Sequence, residues 1–212
     1  MTKIFIIGLP RTGTTSISVA LLECGFNVAH TAFTQHAFEL ADVISDSPCF
    51  SDYQQLDLLF PNSKFVYLQR ERSKWVPSMQ RLLTKMAPHL LPKTGHFNPV
   101  LKRSFMQTFE LSNTQLLTEQ HLSRCYEKHQ QQVELYFNGR SDLLSIDISM
   151  PGSLQTLFTF LGLDCNDNQH FPHLNQGTQV SNWKNYKHAN KINSLSAGKN
   201  HRRFFDYHDL PI

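Results

Sequence analysis

Residues 3–16, KIFIIGLPRTGTTS, constrain the fold more than any other stretch of this chain. The apolar run Ile4-Phe5-Ile6-Ile7 ending at Gly8 reads as a buried parallel strand, because strands covered on both faces need no alternation. The period then changes. Ile17, Ala20, Leu21 and Cys24 recur at helical spacing, and Gly25 closes the predicted helix. Between strand and helix lies Gly8-x-x-x-x-Gly13, followed by Thr14 and Thr15. Such a turn aims successive backbone N–H groups and a positive helix end at one point, which makes an anion site. A nucleoside-triphosphate loop carries a lysine after its second glycine. Here that position is Thr14, and the nearby cation is Arg11, inside the loop.

The remainder alternates in the same manner. Short strands are expected at about 27–30 and 42–46 with a helical stretch between them, and a firmer strand at 64–68 (KFVYL) follows the turn Pro61-Asn62-Ser63. A helix from Ser73 or Lys74 towards Met86 comes next, then a Pro-, Gly-, Lys- and His-rich stretch at 88–104 that reads as a loop or lid. A long helix is expected over 118–138, with Leu122, Cys125, Tyr126, His129, Val133, Tyr136 and Phe137 on one face. A strand at 143–147 and a helix through Leu154, Leu157, Phe158 and Leu161, closed by Gly162, complete the pattern. Strands alternating with helices predict one α/β domain over residues 1–212, with a mostly parallel, doubly wound sheet and a substrate-shaping cover at about 88–138.

Bulk properties exclude several roles. A net charge of +3 over 212 residues is too small for general nucleic-acid binding but leaves room for a local basic site. The apolar N-terminal run is too short for a secretory signal, and no stretch is long enough to span a membrane. The four cysteines are scattered without a CxxC pair, as expected of reduced thiols. Together these features predict a cytoplasmic protein. Among the eleven histidines, His170 and His173 flank Phe171-Pro172, which disfavours an aligned pair, so no metal site is expected.

Pro10-Arg11-Thr12-Gly13-Thr14-Thr15 resembles, position by position, the 5′-phosphosulfate loop P-[KR]-[ST]-G-T-[ST] of sulfotransferases that use 3′-phosphoadenosine 5′-phosphosulfate (PAPS). In that family a later strand ends at an arginine, with a serine eight residues on, and the two bind the 3′-phosphate. The stretch KFVYLQRERSKWVPSMQ places Arg70 and Ser78 in that order and spacing. Arginine offers a planar fork of donors to a phosphate dianion, and the serine adds a hydroxyl. DVISDSPCF resembles a compact, largely bacterial branch in which an apolar strand leads into D-[ST]-P. LLSIDISMPGSLQTLFTFLGL followed by FPHLN resembles a further family segment.

The resemblance implies a P-loop-type fold and metal-independent transfer of a sulfuryl group to a hydroxyl or amine of a small-molecule, carbohydrate or lipid acceptor. It implies nucleotide contacts from Pro10, Arg11, Thr12, Gly13, Thr14, Thr15 and Ser16 and from Arg70 and Ser78, with Arg11 also assisting catalysis. Asp46 stands where better-studied members carry a histidine base, and His30 is the second candidate for that role. Two departures stand out. Ser16 occupies the position of an adenine-stacking tryptophan, and the C-terminal R-K-G motif has no counterpart, so Arg202 and Arg203 in GKNHRR are its expected substitutes. Two other readings remain open. One is an ATP–magnesium kinase using Asp46 or Asp147, against which the missing lysine counts. The other is a nucleotide-binding protein without turnover. Sequence does not specify the acceptor or the oligomeric state.

Overall fold

A computed structural model of the chain describes residues 2–164, 171, 183–199 and 201–206. Five strands, β1 (Ile4–Ile6), β2 (Val28–His30), β3 (Val43–Ser45), β4 (Lys64–Leu68) and β5 (Leu143–Ile146), form one sheet in the order β2-β3-β1-β4-β5. Every pairing is parallel. Among the described residues, seven α-helices flank it: α1 (Thr14–Glu23), α2 (Gln35–Leu40), α3 (Cys49–Leu59), α4 (Arg72–Leu90), α5 (Pro99–Phe109), α6 (Glu119–Tyr136) and α7 (Ser153–Leu161). The fold is the expected α/β, P-loop-type architecture.

The pleat sends alternate residues of each strand to opposite faces. Ile4 and Ile6 of β1, with Val43, Val66 and Leu68, pack against Ile17 and Leu21 of α1 and Leu157 and Phe158 of α7. Phe5, Ile44, Phe65 and Tyr67 face the other way, onto Phe38 of α2, Tyr53 and Leu56 of α3, and Val133 and Phe137 of α6. Covering on both sides explains why β1 reads as an unbroken apolar run. A third cluster, including Leu9, Phe50, Trp75, Met79, Phe105 and Leu122, joins α4, α5 and α6 to the end of β1.

The expected loop over 88–104 is corrected. Helix α4 continues to Leu90 despite Pro77 and Pro88, and α5 begins at Pro99. The Asn98 side chain caps α5 by accepting from the Leu101 N–H at 2.9 Å, and Pro99 follows at a position where its missing N–H is not needed. The intervening turn is held by Lys102, whose ammonium donates to the Gly95 carbonyl at 2.6 Å. Helix α3 is an element the sequence pattern did not suggest. It buries Asp52, whose carboxylate accepts from Arg103 of α5 at 2.6 Å and so ties α3 to α5. Burial raises the Asp52 pKa and Arg103 opposes that rise.

Candidate active site

The strand order reverses at β1, which lies between β3 and β4, and in open parallel sheets the ligand crevice opens at the carboxyl ends of the strands at such a point. His30 is the last residue of β2, and the segments leaving β1, β3 and β4 carry Arg11, Asp46 and Arg70 respectively. Three residues following strand ends adopt positive φ: Arg11 at 74°, Thr31 at 95° and Asp46 at 58°. Each such non-glycine residue costs on the order of 1–3 kcal/mol, and outliers of this kind gather at functional sites.

The loop after β1 has the geometry its spacing predicts. Gly13, with φ of 108°, sits at the N-terminus of α1, and that helix has no side-chain cap. The first turn, Thr14, Thr15 and Ser16, therefore starts without a side-chain acceptor for its N–H groups, an arrangement that suits an anion. Thr12 closes the turn, its hydroxyl donating to the Leu9 carbonyl at 2.6 Å. Gly8 is needed for a different reason. A Cβ there would lie 2.5 Å from the Leu68 Cβ and 2.9 Å from the Leu68 backbone nitrogen. Gly8→Ala is expected to cost at least about 1–3 kcal/mol, because β4 backbone must move. Urea unfolding of the variant checks this, and an unchanged midpoint would contradict it.

The two sequence motifs meet. The Arg11 Nε donates to the Ser78 Oγ at 2.9 Å, and the Arg70 Nη1 donates to the Arg11 carbonyl at 2.7 Å. Trp75 Nε1 donates to the Pro10 carbonyl at 2.9 Å, anchoring the loop to α4. Tyr126 of α6 donates its hydroxyl to the Arg70 carbonyl at 2.8 Å. Burial, then the nearby charges of Arg70 and Arg81, hold Arg11 below the usual arginine value, and Asp46 opposes them. The sequence motifs do not mark Arg81. It lies three residues beyond Ser78 in α4, hence on the same helix face, and that spacing is the signal by which it can be found. None of Arg11, Arg70 and Arg81 forms an ion pair among the described residues. Beside Arg70 a cavity of about 470 Å³ opens, lined by Gln69, Glu71, Arg72, Tyr126 and Asp147 among others.

On the other side of the loop the two candidate bases come together. The Asp46 Oδ2 accepts from the Thr14 hydroxyl at 3.2 Å and lies 4.0 Å from His30 Nε2. That same nitrogen is 3.3 Å from the Thr15 Oγ1. His30 and Ser45 are register partners across β2 and β3, and the His30 Nδ1 is 2.8 Å from the Ser45 Oγ. The His30 and Asp46 side chains are 12% and 17% exposed, so both reach the crevice while mostly shielded. Burial lowers the His30 pKa, Asp46 opposes this, and Lys191 adds to it. The Trp183 ring lies 5.2 Å from the His30 ring.

The C-terminal basic segment lies elsewhere. Arg203 accepts from the Gln35 N–H through its carbonyl at 3.0 Å, and Phe204 pairs with Thr34. These contacts seat Arg202 and Arg203 at the β2 edge, with β3 and β1 between that edge and the strand bearing Arg70. The structure does not bring them to the Arg70–Ser78 cluster. Residues 172–175 of FPHLN, together with His170, lie outside the described residues. Among the described residues no helix is long and apolar enough to cross a membrane.

Residues 3–37 and 31–180 match the family model for the sulfotransferase domain, so the matches span most of the chain. Comparison with curated proteins gave no match.

Proposed function

The chain belongs to the sulfotransferase domain family and is a transferase of sulfur-containing groups; from that premise we propose that its donor is PAPS and its acceptor a hydroxyl or amine of a small molecule. The observation that carries the donor assignment is the junction of the two anion motifs through Arg11, Ser78 and Arg70. Three arginines without ion-pair partners among the described residues, and an uncapped helix start, suit a ligand with two separate phosphate groups. The loop's cation is a guanidinium, and Thr14 stands where a triphosphate loop needs lysine.

When bound, the donor supplies a sulfuryl group whose leaving group is a 5′-phosphate, transferred in line through a loose transition state. Negative charge grows on the departing phosphate oxygen. The N–H groups of Gly13 to Ser16, the Thr14 and Thr15 hydroxyls and Arg11 stabilise it there without a metal. Arg70, Ser78 and Arg81 hold the 3′-phosphate. As the new O–S bond forms and the S–O bond to the phosphate breaks, the acceptor proton passes to the Asp46–His30 pair.

Thermal unfolding tests the donor assignment. 3′-Phosphoadenosine 5′-phosphate (PAP) without metal is expected to raise Tm, and ATP with magnesium to have little effect. Stabilisation by ATP–magnesium alone would favour a kinase. Sulfate transfer to a panel of alcohols, phenols and sugars then narrows the acceptor.

A further inference from the structure

Proton counting along a buried chain of hydroxyls specifies how His30 meets the acceptor. The Ser18 Oγ lies 2.7 Å from the Thr14 carbonyl oxygen, which only accepts, so the single Ser18 hydroxyl proton is committed there. The Ser18 and Ser45 hydroxyl oxygens are 2.8 Å apart. With Ser18 already donating to Thr14, Ser45 must donate to Ser18. The Ser45 proton is then spent as well, and the Ser45 oxygen is left to accept from His30 Nδ1 at 2.8 Å. Ser18 and Ser45 are both fully buried, so water does not offer either an alternative partner.

We infer that Ser18 and Ser45 act as positioning residues that hold His30 in the Nδ1–H tautomer, so that its bare Nε2 is the atom that takes the acceptor's proton. This assignment rests on the sulfuryl-transfer reading for its catalytic meaning, but the tautomer itself follows from the hydrogen-bond chain alone. The bare Nε2 lies on the side of His30 that faces Thr15 and Asp46, at 3.3 Å and 4.0 Å. The Thr15 hydroxyl donates to it at rest. Once Nε2 gains the acceptor's proton, the Nδ1–H bond to Ser45 persists, and the Asp46 carboxylate stands beside the new positive charge. Asp46 is on this account the electrostatic partner of the base, and both functions assigned to the pair are separated by atom. The chain also couples the base to the phosphate loop, since it ends on the Thr14 carbonyl at the start of α1.

Ring-nitrogen NMR of the uniformly ¹⁵N-labelled full chain, without donor, tests the tautomer directly, with the His30 signals identified by their loss in His30→Gln. A protonated Nδ1 and a bare Nε2 are expected at pH 7.5. Ser18→Ala frees the Ser45 proton to donate to Nδ1 and is expected to move the ring proton to Nε2. Ser45→Ala removes the Nδ1 partner, and is expected to lower kcat at least about tenfold with PAP affinity unchanged, whereas Ser45→Thr restores both tautomer and rate. A wild-type ring protonated on Nε2 overturns the inference, as does a Ser18→Ala variant that switches tautomer yet keeps full kcat. Failure of the wild type to bind PAP would instead strike the donor assignment and leave the tautomer result standing.

Discussion

Arg11→Ala is expected to lower kcat by about 10²–10³-fold while PAP binding weakens far less, the usual consequence of deleting one donor aimed at developing charge. The substitution is clean in backbone terms, because alanine at φ of 74° bears a similar strain to arginine. The Arg70 contact survives, since it goes to the Arg11 carbonyl rather than to its side chain. Ser78 loses the guanidinium it accepts from. Arg70→Ala makes the complementary pattern. It removes a cation assigned to the 3′-phosphate together with the clamp on the loop, so PAP affinity is expected to fall about 10²-fold. Steady-state kinetics with PAPS, alongside PAP titration, separates the two. Equal effects of both variants on binding alone would show that Arg11 does not act on the transition state.

Asp46→Asn and His30→Gln are each expected to reduce kcat by about 10²–10⁴-fold, with nucleotide binding near wild type. Their pH profiles carry the finer test. Burial lowers the His30 pKa, so the imidazole is neutral at pH 7 and the wild-type rate is expected to fall only as pH drops below 6.5. Asp46 is the influence that raises the His30 value, so Asp46→Asn is expected to move this acid limb to lower pH as it lowers the plateau. The limb should be absent in the residual activity of His30→Gln. A limb that survives His30→Gln unchanged would reassign the proton to Asp46.

Much of this site is legible from local pattern. The strand, loop and helix around Gly8 and Gly13 declare themselves because each signal spans few residues, and the two glycines answer a close approach at Gly8 and a positive φ at Gly13. Arg70 and Ser78 are found by spacing, and their bonds to the loop follow from α4 starting beside β4. What escapes is whatever depends on non-local partners. Helix α3 mixes buried Cys49, Phe50 and Tyr53 with a buried Asp52 whose counter-charge, Arg103, lies 51 residues on. His30 and Asp46 are separable candidates in sequence, and only the β2–β3 register makes them neighbours and puts Ser45 against His30. Arg202 and Arg203 have the right charge for a phosphate, but the pairing of Phe204 with Thr34 and of the Arg203 carbonyl with the Gln35 N–H carries them to the β2 edge. Arg81, one helical turn past Ser78, is a cation whose charge does act on Arg11.

Calorimetric titration of PAP and of adenosine 5′-phosphate into the protein in EDTA tests the central claim most directly, because the two ligands differ only in the 3′-phosphate. The account predicts that PAP binds at least about 10²-fold more tightly without any metal, and that Arg70→Ala erases most of this preference. Equal affinity for the two ligands, or a preference that Arg70→Ala leaves intact, would contradict the assignment of Arg70 and Ser78 to a 3′-phosphate and with it the PAPS donor.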